Sequence, residues 1–355
     1  MEQVMANEKI LYNELKQVPF KPLTTGQIIK DTDDAMVVLQ ELSHYGLVIV
    51  KYQKANADFN TILHEGIVGL YTVNNLHNFV HILGVYLNVT YPKIGNCDAV
   101  IYEYVNGETL TSFLRKNPAT VEVKHILLQI FVALYNAYKL YDFTHYDLHT
   151  DNVIVKISAS SVACNYNGKT LFHTHIVPII IDYGRAHVRI GGIDYGYSYP
   201  RDEIGVDPAY VENHGFWAHD MFSLLSTIYS EFSLTGALAK AKNELDEYVE
   251  YEGNTVYTMN QTEDVEEQNK QIEAVKFWQD EQMEAKQKIA QIEGTFSLEN
   301  KELEAISMAL MELIIGGPFD FRQLLKDIGP FAHLRPELLK VNVHQFMEVA
   351  VNTLL

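Results

Sequence analysis

Only two cysteines, Cys97 and Cys164, stand in 355 residues. That is too few for a disulfide framework or a thiolate zinc site, and it fits a reducing compartment. Also missing is any apolar run long enough to cross a bilayer. The opening residues, Met1-Glu2-Gln3-Val4-Met5-Ala6-Asn7-Glu8-Lys9, put no apolar block after a basic one, so no secretory signal is expected. Positive charge is scarce, with 27 Lys and Arg against 46 Asp and Glu, a formal net charge of −19. A surface of that sign repels phosphate backbones and anionic headgroups, which argues against a general nucleic-acid binder and against a membrane-surface protein. An anionic ligand such as a nucleotide triphosphate would need metal ions and a few well-placed cations. No internal repeat is present.

What is there is globular in composition, 47% hydrophobic and 21% charged. A mass of 40.5 kDa allows two domains or one large two-lobed one. Residues 1–25 mix polar and apolar positions and are expected to form an extension with a helix over Glu8 to Lys16. From Gly26 the chain turns β-rich: Gln27 to Lys30, a polar turn at Asp31-Thr32-Asp33-Asp34, Met36 to Leu39, a turn at Ser43 to Gly46, then Leu47 to Tyr52. Runs of this kind between turn residues predict an antiparallel meander. Lys51 ends the last run, where a lysine can snorkel to solvent or grip an anion. Phe59, Ile62, Leu63, Ile67, Val68 and Leu70 recur at helical spacing, with Glu65 in the same helix.

Two further strands are expected over Asn78 to Tyr86 and Asp98 to Val105, followed at Asn106-Gly107 by a short helix from Glu108 to Leu114. A strand, a small-residue break and a helix make a hinge between domains. From Val121 to Tyr141 a buried helix is expected, with Ile126, Leu127, Ile130, Phe131, Leu134 and Tyr138 on one face. It leads into Thr144-His145-Tyr146-Asp147-Leu148-His149-Thr150-Asp151-Asn152. Strands at Val153 to Val155 and Val177 to Ile181 follow, the second ending at Asp182-Tyr183-Gly184. Between them Asn167-Gly168 marks a hairpin.

Several separated motifs in one order resemble the protein-kinase-like superfamily. Lys51 is similar to the family's strand lysine and Glu65 to its helix partner. Tyr102 to Val105 resemble the hinge, whose backbone groups at Glu103 and Val105 would meet adenine. Asp147 and Asn152 match the catalytic loop, and Asp182-Tyr183-Gly184 stands where the family has Asp-Phe-Gly. Ala218-His219-Asp220-Met221 resembles the central helix whose aspartate braces that loop. In texture, His145 to Asn152 and Ile181 to Arg185 are similar to serine/threonine kinase-like proteins of large DNA viruses.

The resemblance implies an α+β, two-lobed fold: a small antiparallel-sheet lobe with one helix over 26–105, and a large, mainly helical lobe over 106–355. It implies ATP and Mg²⁺ as ligands, with Asn152 and Asp182 holding the metal, Lys51 on phosphate oxygens, Glu65 orienting Lys51, and Asp147 taking the acceptor proton. A protein substrate, phosphorylated on Ser or Thr inside the cytoplasm of an infected host cell or in the virion, is the expected acceptor. Two alternatives stay open, a weakly catalytic scaffold and a small-molecule phosphotransferase.

Three departures shape these expectations. No Gly-x-Gly-x-x-Gly occurs between Gly26 and Met36, and a turn bearing carboxylates would repel phosphate. Tyr146 stands where many regulated kinases have arginine, and His149 where lysine is usual. The segment Arg185 to Trp217, with Gly191-Gly192, Tyr195, Tyr197, Ser198 and Tyr199, lacks an Ala-Pro-Glu ending and is expected to be a loop packed by its aromatics. His145 is expected to be a packed structural histidine. The pairs His145 with His149 and His173 with His175 lack the acidic or thiol partner that zinc needs.

Beyond Ser230 the stretch Glu244 to Glu267 is acidic and poorly patterned, and Ile272, Val275, Phe277, Trp278, Met283, Ile289 and Ile292 mark a long amphipathic helix. Residues 236–298 are thus expected to be a helical insertion, a surface on which a protein partner could dock. A core helix at Ala305 to Ile315 ends at Gly316-Gly317-Pro318, and Leu324-Leu325, Leu338-Leu339 and Phe346 to Leu354 are expected to close the fold.

Overall fold

The computed structural model describes residues 2–15, 20, 26–54, 62–196, 216–259, 261, 265–295, 301–326, 339 and 341–355. Phe59, Tyr197, Ser198, Tyr199 and Leu338, to which the sequence assigns roles, lie outside the described residues. The chain is α+β and divides into two units, Met1–Leu224 with Val341–Leu355, and Leu225–Lys340.

The first unit opens with helix α1 (Glu2–Glu14), which starts earlier than the expected Glu8. Strands β1 (Gln27–Asp31), β2 (Ala35–Leu42) and β3 (Gly46–Gln53) form the expected meander. Helix α2 (Ile62–Tyr71) follows, then β4 (Ile82–Tyr91) and β5 (Gly95–Glu103), giving one five-stranded antiparallel sheet of order β1-β2-β3-β5-β4. The register decides what each face carries. Lys51 pairs with Val100 and Ile49 with Tyr102, while Val85 pairs with Val100 across β4 and β5. Cross-strand partners share a face, so Lys51, Tyr102 and Val85 all face α2. The opposite face gathers Val38, Val48, Val50, Tyr52, Tyr91, Ala99 and Ile101 into a buried core, where Tyr52 stacks on Tyr91 at 4.2 Å and donates its hydroxyl to Gln40.

Helix α2 lies close on the sheet because it has glycine where it meets β4. A Cβ at Gly66 would run into the Val85 side chain, and one at Gly69 into Ile82. These positions are three apart, on one face of the helix.

Several expected boundaries move. The run from Asn78 does not start a strand: Asn78 is left-handed (φ 66°), Phe79 makes one parallel bridge to Ile180, and β4 begins at Ile82. Val80 N–H donates to Ile180 O at 2.9 Å, which links the segment to the next sheet. Strand β5 ends at Glu103, so Val105 lies outside it. Glu108–Thr109 is a short strand, β6, rather than a helical turn, and helix α3 covers only Leu110–Leu114. The reason for β6 is a partner: it pairs with β7 (Val153–Tyr166), whose other edge pairs with β8 (Lys169–Ile180). Asn167 (φ 49°) and Gly168 (φ 74°) make the two-residue turn of the β7–β8 hairpin, both left-handed as such a turn demands.

Helix α4 (Thr120–Tyr141) is buried along most of its length and packs on β8, with Gln129 donating to Ile176 O and His125 stacked on Phe172 at 3.9 Å. The segment expected to be an aromatic loop is instead, up to residue 196, a hairpin of β9 (His187–Ile190) and β10 (Ile193–Gly196) turning at Gly191-Gly192. Helix α5 (Trp217–Phe232) runs from the first unit into the second.

In the second unit, α6 (Leu234–Met259) and α7 (Val265–Thr295) pack along each other as a helical hairpin. The acidic stretch from Glu244 that reads as unpatterned is therefore helical through Met259. Its polarity reflects solvent on most sides, and cross-helix bonds such as Gln282 to Glu252 (2.6 Å) and Lys288 to Glu244 (2.6 Å) hold the pair together. Helices α8 (Lys301–Ile315) and α9 (Phe321–Lys326) complete it. Helix α10 (Val343–Leu354), capped by Asn342, returns to the first unit, where Phe346 meets Phe131. Among the described residues, no helix is long and apolar enough to cross a membrane.

Gly66→Ala should lower the unfolding free energy by about 1–3 kcal/mol through overpacking. Gly253→Ala, in α6 with open space around it, should raise it by about 0.5–1 kcal/mol through helix propensity. Urea denaturation of both variants beside the wild type checks the opposite signs.

Candidate functional site

Lys51, Glu65 and Asp182 come from a strand, a helix and the residue after β8, and they meet. Lys51 Nζ donates to Glu65 Oε2 at 3.0 Å and to Asp182 Oδ1 at 2.8 Å. The other oxygen of Glu65 accepts from Tyr183 N–H at 3.1 Å, so this one fully buried carboxylate holds both the lysine and the backbone beyond Asp182. Burial pushes the Glu65 carboxyl up against the pull of Lys51. Burial works to lower the Lys51 ammonium, but Glu65 and Asp182 together hold it above its ordinary value. Asp182 is driven the other way: burial raises it, and the adjacent ammonium overrides that and holds it well below the usual carboxylate range. Its side chain keeps 41% of its surface exposed, against none for Glu65. The Tyr102 phenol is pushed well up by burial and then by the charge of Glu65. Asp182, the partly exposed member of the trio, is the carboxylate that the ammonium keeps ionised.

Asp182 is left-handed (φ 66°), a conformation that costs a non-glycine residue about 1–2 kcal/mol. It is held there from both sides. Ile181 N–H donates to Asn152 O at 3.0 Å, and the buried Tyr183 hydroxyl donates to Val80 O and Ile180 O at 2.9 and 3.1 Å. The Tyr183 hydroxyl thus ties the segment before β4 and the end of β8 to this turn.

The loop from 144 to 152 is braced in the same manner. Helix α4 stops at Asp142 in the left-handed region, and Thr144 forms a two-way bridge with His187. Asp220 on α5 accepts His145 N–H at 2.6 Å and Tyr146 N–H at 3.0 Å, both buried, and so holds the left-handed Tyr146 (φ 60°). Asp147 N–H donates to His145 Nδ1 at 3.3 Å, which leaves the proton on Nε2 for the 2.8 Å bond to Ile181 O. His145 is thus a buried connector between the two halves of the site. His149 uses its Nδ1 to cap the single 3₁₀ turn Thr150–Asn152 by accepting Asp151 N–H. Asn152 Nδ2 donates to Asp147 O at 2.8 Å, fixing the amide so that its oxygen is the group left for a ligand. Asn152 and Asp182 are thereby joined through the Asn152 to Ile181 backbone bond.

An amide oxygen and an ionised, partly exposed carboxylate form a hard-oxygen donor set. That set fits Mg²⁺, which is normally held by one or two carboxylates with water and phosphate completing its shell. Glu103 uses its backbone N–H on His81 O and its carboxylate on His81 N–H, while residues 104–106 run outside any strand. The acidic turn at residues 31–34 is partly neutralised: Asp31 pairs with Lys54 Nζ at 2.6 Å, and Thr32 bonds Ala35. Every described residue of β1 is exposed.

A second cluster was not anticipated. The ligand atoms of Asp142, His187 and Asp194 lie within 4.8 Å of one another. Arg189 already occupies it, with Nε on Asp194 at 2.8 Å and a terminal nitrogen 3.4 Å from Asp142, so the cation there is a guanidinium. The signal lay in Gly191-Gly192: a two-residue turn makes Arg189 and Asp194 cross-strand partners. Glu8 and His64, also buried and paired, had no such local signal.

No family model matches the chain. It is 30% identical over 122 residues, 34% of its length, to "Probable kinase 098L" of Invertebrate iridescent virus 3. It is 24% identical over 234 residues, 56% of its length, to "Uncharacterized protein 035R" of the same virus. The matched regions make up 21% and 20% of those two proteins, so the chain spans about a fifth of the length of the curated relatives it matches. This is a loose, kinase-like relationship.

The sign of one pH effect follows from the trio. In the folded chain Asp182 sits below its ordinary value, so its contribution is complete above the unfolded carboxyl range and is lost as pH falls through the folded value. Glu65 sits above its own, so its contribution is present at low pH and is lost as pH rises through the folded value. Lys51→Met removes the first effect and strengthens the second. The variant should be less stable than wild type by about 3–5 kcal/mol at neutral pH, because Glu65 is left buried and uncompensated. It should recover part of that loss on acidification to about pH 5, where wild type gains nothing comparable. Urea midpoints at the two pH values read the difference.

Proposed function

We propose that the chain is a two-lobed, Mg²⁺-dependent phosphotransferase that moves the terminal phosphoryl group of ATP to a hydroxyl, with Ser or Thr of a protein as acceptor. The observation that carries the reading is Lys51 bonded at once to Glu65 and Asp182, residues 14 and 131 positions away in the chain. An ammonium fixed by a buried carboxylate, beside an exposed ionised one, is an arrangement suited to phosphate oxygens and their metal. The partial likeness to a viral protein titled a probable kinase points the same way.

In this reading residues 26–105 form the small lobe and residues 106–355 the large one. The backbone at Glu103 and Val105 meets the adenine edge, and Lys51 takes phosphate oxygens. Asn152 and Asp182 would hold Mg²⁺, which neutralises charge on the phosphates when bound. Asp147, on the loop braced by Asp220, receives the proton of the acceptor hydroxyl as that oxygen bonds phosphorus and the bond to the ADP oxygen breaks. Little covalent chemistry is asked of the protein, so position and charge do the work. In the same reading the chain acts in the cytoplasm of an infected cell or in its virion; the partial likeness to a viral protein supports the viral setting alone.

A second reading has its own observation. The turn over the phosphates bears carboxylates instead of glycine, and the α6–α7 hairpin exposes Phe277, Tyr251 and Tyr257 in an acidic setting. A weakly catalytic scaffold that docks a protein on that hairpin would look like this.

Radiolabel from the terminal phosphate of ATP, offered with Mg²⁺ and a mixture of protein acceptors, separates the readings. Wild type should label protein, Asp147→Asn should lose at least about 100-fold, and Asp182→Asn should lose the Mg²⁺ dependence with the activity. Equal labelling by wild type and Asp147→Asn would sink the phosphotransferase reading. Label in a low-mass product would move the acceptor to a small molecule, and no thermal shift with millimolar Mg²⁺-ATP would favour the scaffold.

A further inference from the structure

Helix α1 is tied to the helix that carries Glu65 by a buried histidine. His64, the residue before Glu65, places Nδ1 2.7 Å from Glu8 Oε1 and Nε2 2.6 Å from Ala186 O. Both side chains are buried, Glu8 at 5% and His64 at 3% exposure. A carbonyl oxygen only accepts, so Nε2 carries a proton. The short approach of Nδ1 to the carboxylate then requires a second proton between them, whichever atom holds it. One imidazole therefore joins three segments: α1 through Glu8, α2 through its own backbone, and the turn between Asp182 and β9 through Ala186. The neighbouring backbone is shaped to receive it. Gly196 is left-handed (φ 97°), and a Cβ there would strike both Ala186 O and the His64 ring. Helix α1 is fastened to the same helix a second time, where Tyr71 OH donates to Leu11 O at 2.8 Å.

We infer that α1 is a positioning clamp for the site: through Glu8 and His64 it fixes the rotation of α2, and hence Glu65 against Lys51, and couples that helix to the β9–β10 hairpin. The inference rests on the phosphotransferase reading for its consequence, and on contacts alone for the clamp. Glu8 and His64 touch neither nucleotide nor acceptor in that reading and are positioning residues.

Amide hydrogen exchange on the full chain without nucleotide tests the clamp independently of activity. In Glu8→Ala, amides of 62–71 and 187–196 should exchange together at least about ten-fold faster than in wild type. Glu8→Gln can still donate to Nδ1 of a neutral His64 and should restore slow exchange in both segments. In label transfer, Glu8→Ala should lose kcat about ten-fold with little change in KM for the protein acceptor, and Glu8→Gln should recover it. Ile10→Ser, on the exposed side of α1, should match wild type in every readout. Exchange that rises in α1 alone, or a Glu8→Gln variant no better than Glu8→Ala, would overturn the clamp. Should Glu8→Ala fail to fold, Tyr71→Phe is read the same way: faster exchange in 62–71 supports the clamp, and unchanged exchange overturns it. Coupled exchange in a chain without phosphotransfer would leave the clamp standing and remove the function proposed above.

Discussion

A lysine ammonium held between a fully buried carboxylate and an exposed one is the constraint from which the first unit takes its form. Neither Lys51 nor Glu65 could stay charged inside the protein alone, since an isolated buried ion costs several kcal/mol. Each therefore demands the other at bonding distance, and the fold must deliver a strand and a helix to one point. The sheet does so through register, which turns Lys51 and Tyr102 to one face. The helix does so through Gly66 and Gly69, which remove the side chains that would hold it off. The third member arrives on a left-handed residue that the Tyr183 hydroxyl and the Asn152 carbonyl keep in place.

The same economy governs the loop from 144 to 152. It crosses the interior with few regular hydrogen bonds, and its buried N–H groups need partners. Asp220 supplies two acceptors from one side chain, and His145 links the loop to Ile181 on the other half of the site. Polar groups that could be mistaken for catalysts are thus mostly structural, and His149, which closes its own 3₁₀ turn, is another. Of the three acidic and amide groups left, Asn152 is buried, Asp147 is half-buried and Asp182 keeps 41% of its side-chain surface exposed.

Charge is handled locally rather than globally. Against a net charge of −19, cations are placed singly where carboxylates converge: Lys51 between Glu65 and Asp182, Arg189 between Asp142 and Asp194, Lys54 on Asp31. The α6–α7 hairpin follows a different rule. Its acidic helices are joined by amide and lysine bonds along one side, while Phe277 and Tyr257 stay in solvent.

Periodicity made much of this legible from the chain alone. Strands β2 and β3, the second half of β8, helices α2, α4 and α8, and the Asn167-Gly168 turn all follow from alternation, helical spacing or turn chemistry, which are local properties of neighbouring residues, while α5 was legible only through the resemblance. So do the identities of Lys51, Glu65, Asp147, Asn152, Asp182 and Asp220, because their residue types and order carry the resemblance. Elements whose existence depends on a distant partner were misread. Glu108–Thr109 is a strand only because β7 lies beside it, the run from Asn78 is interrupted by its bridge to Ile180, and a solvated helix such as α6 shows little pattern until α7 packs on it. Nothing in the sequence near Glu8 or His64 points to their meeting. Composition and spacing determined which chemical groups this protein has to work with; which of them touch was decided by sheet register, glycine-permitted approach and left-handed turns, since those act across 14 to 131 residues of chain.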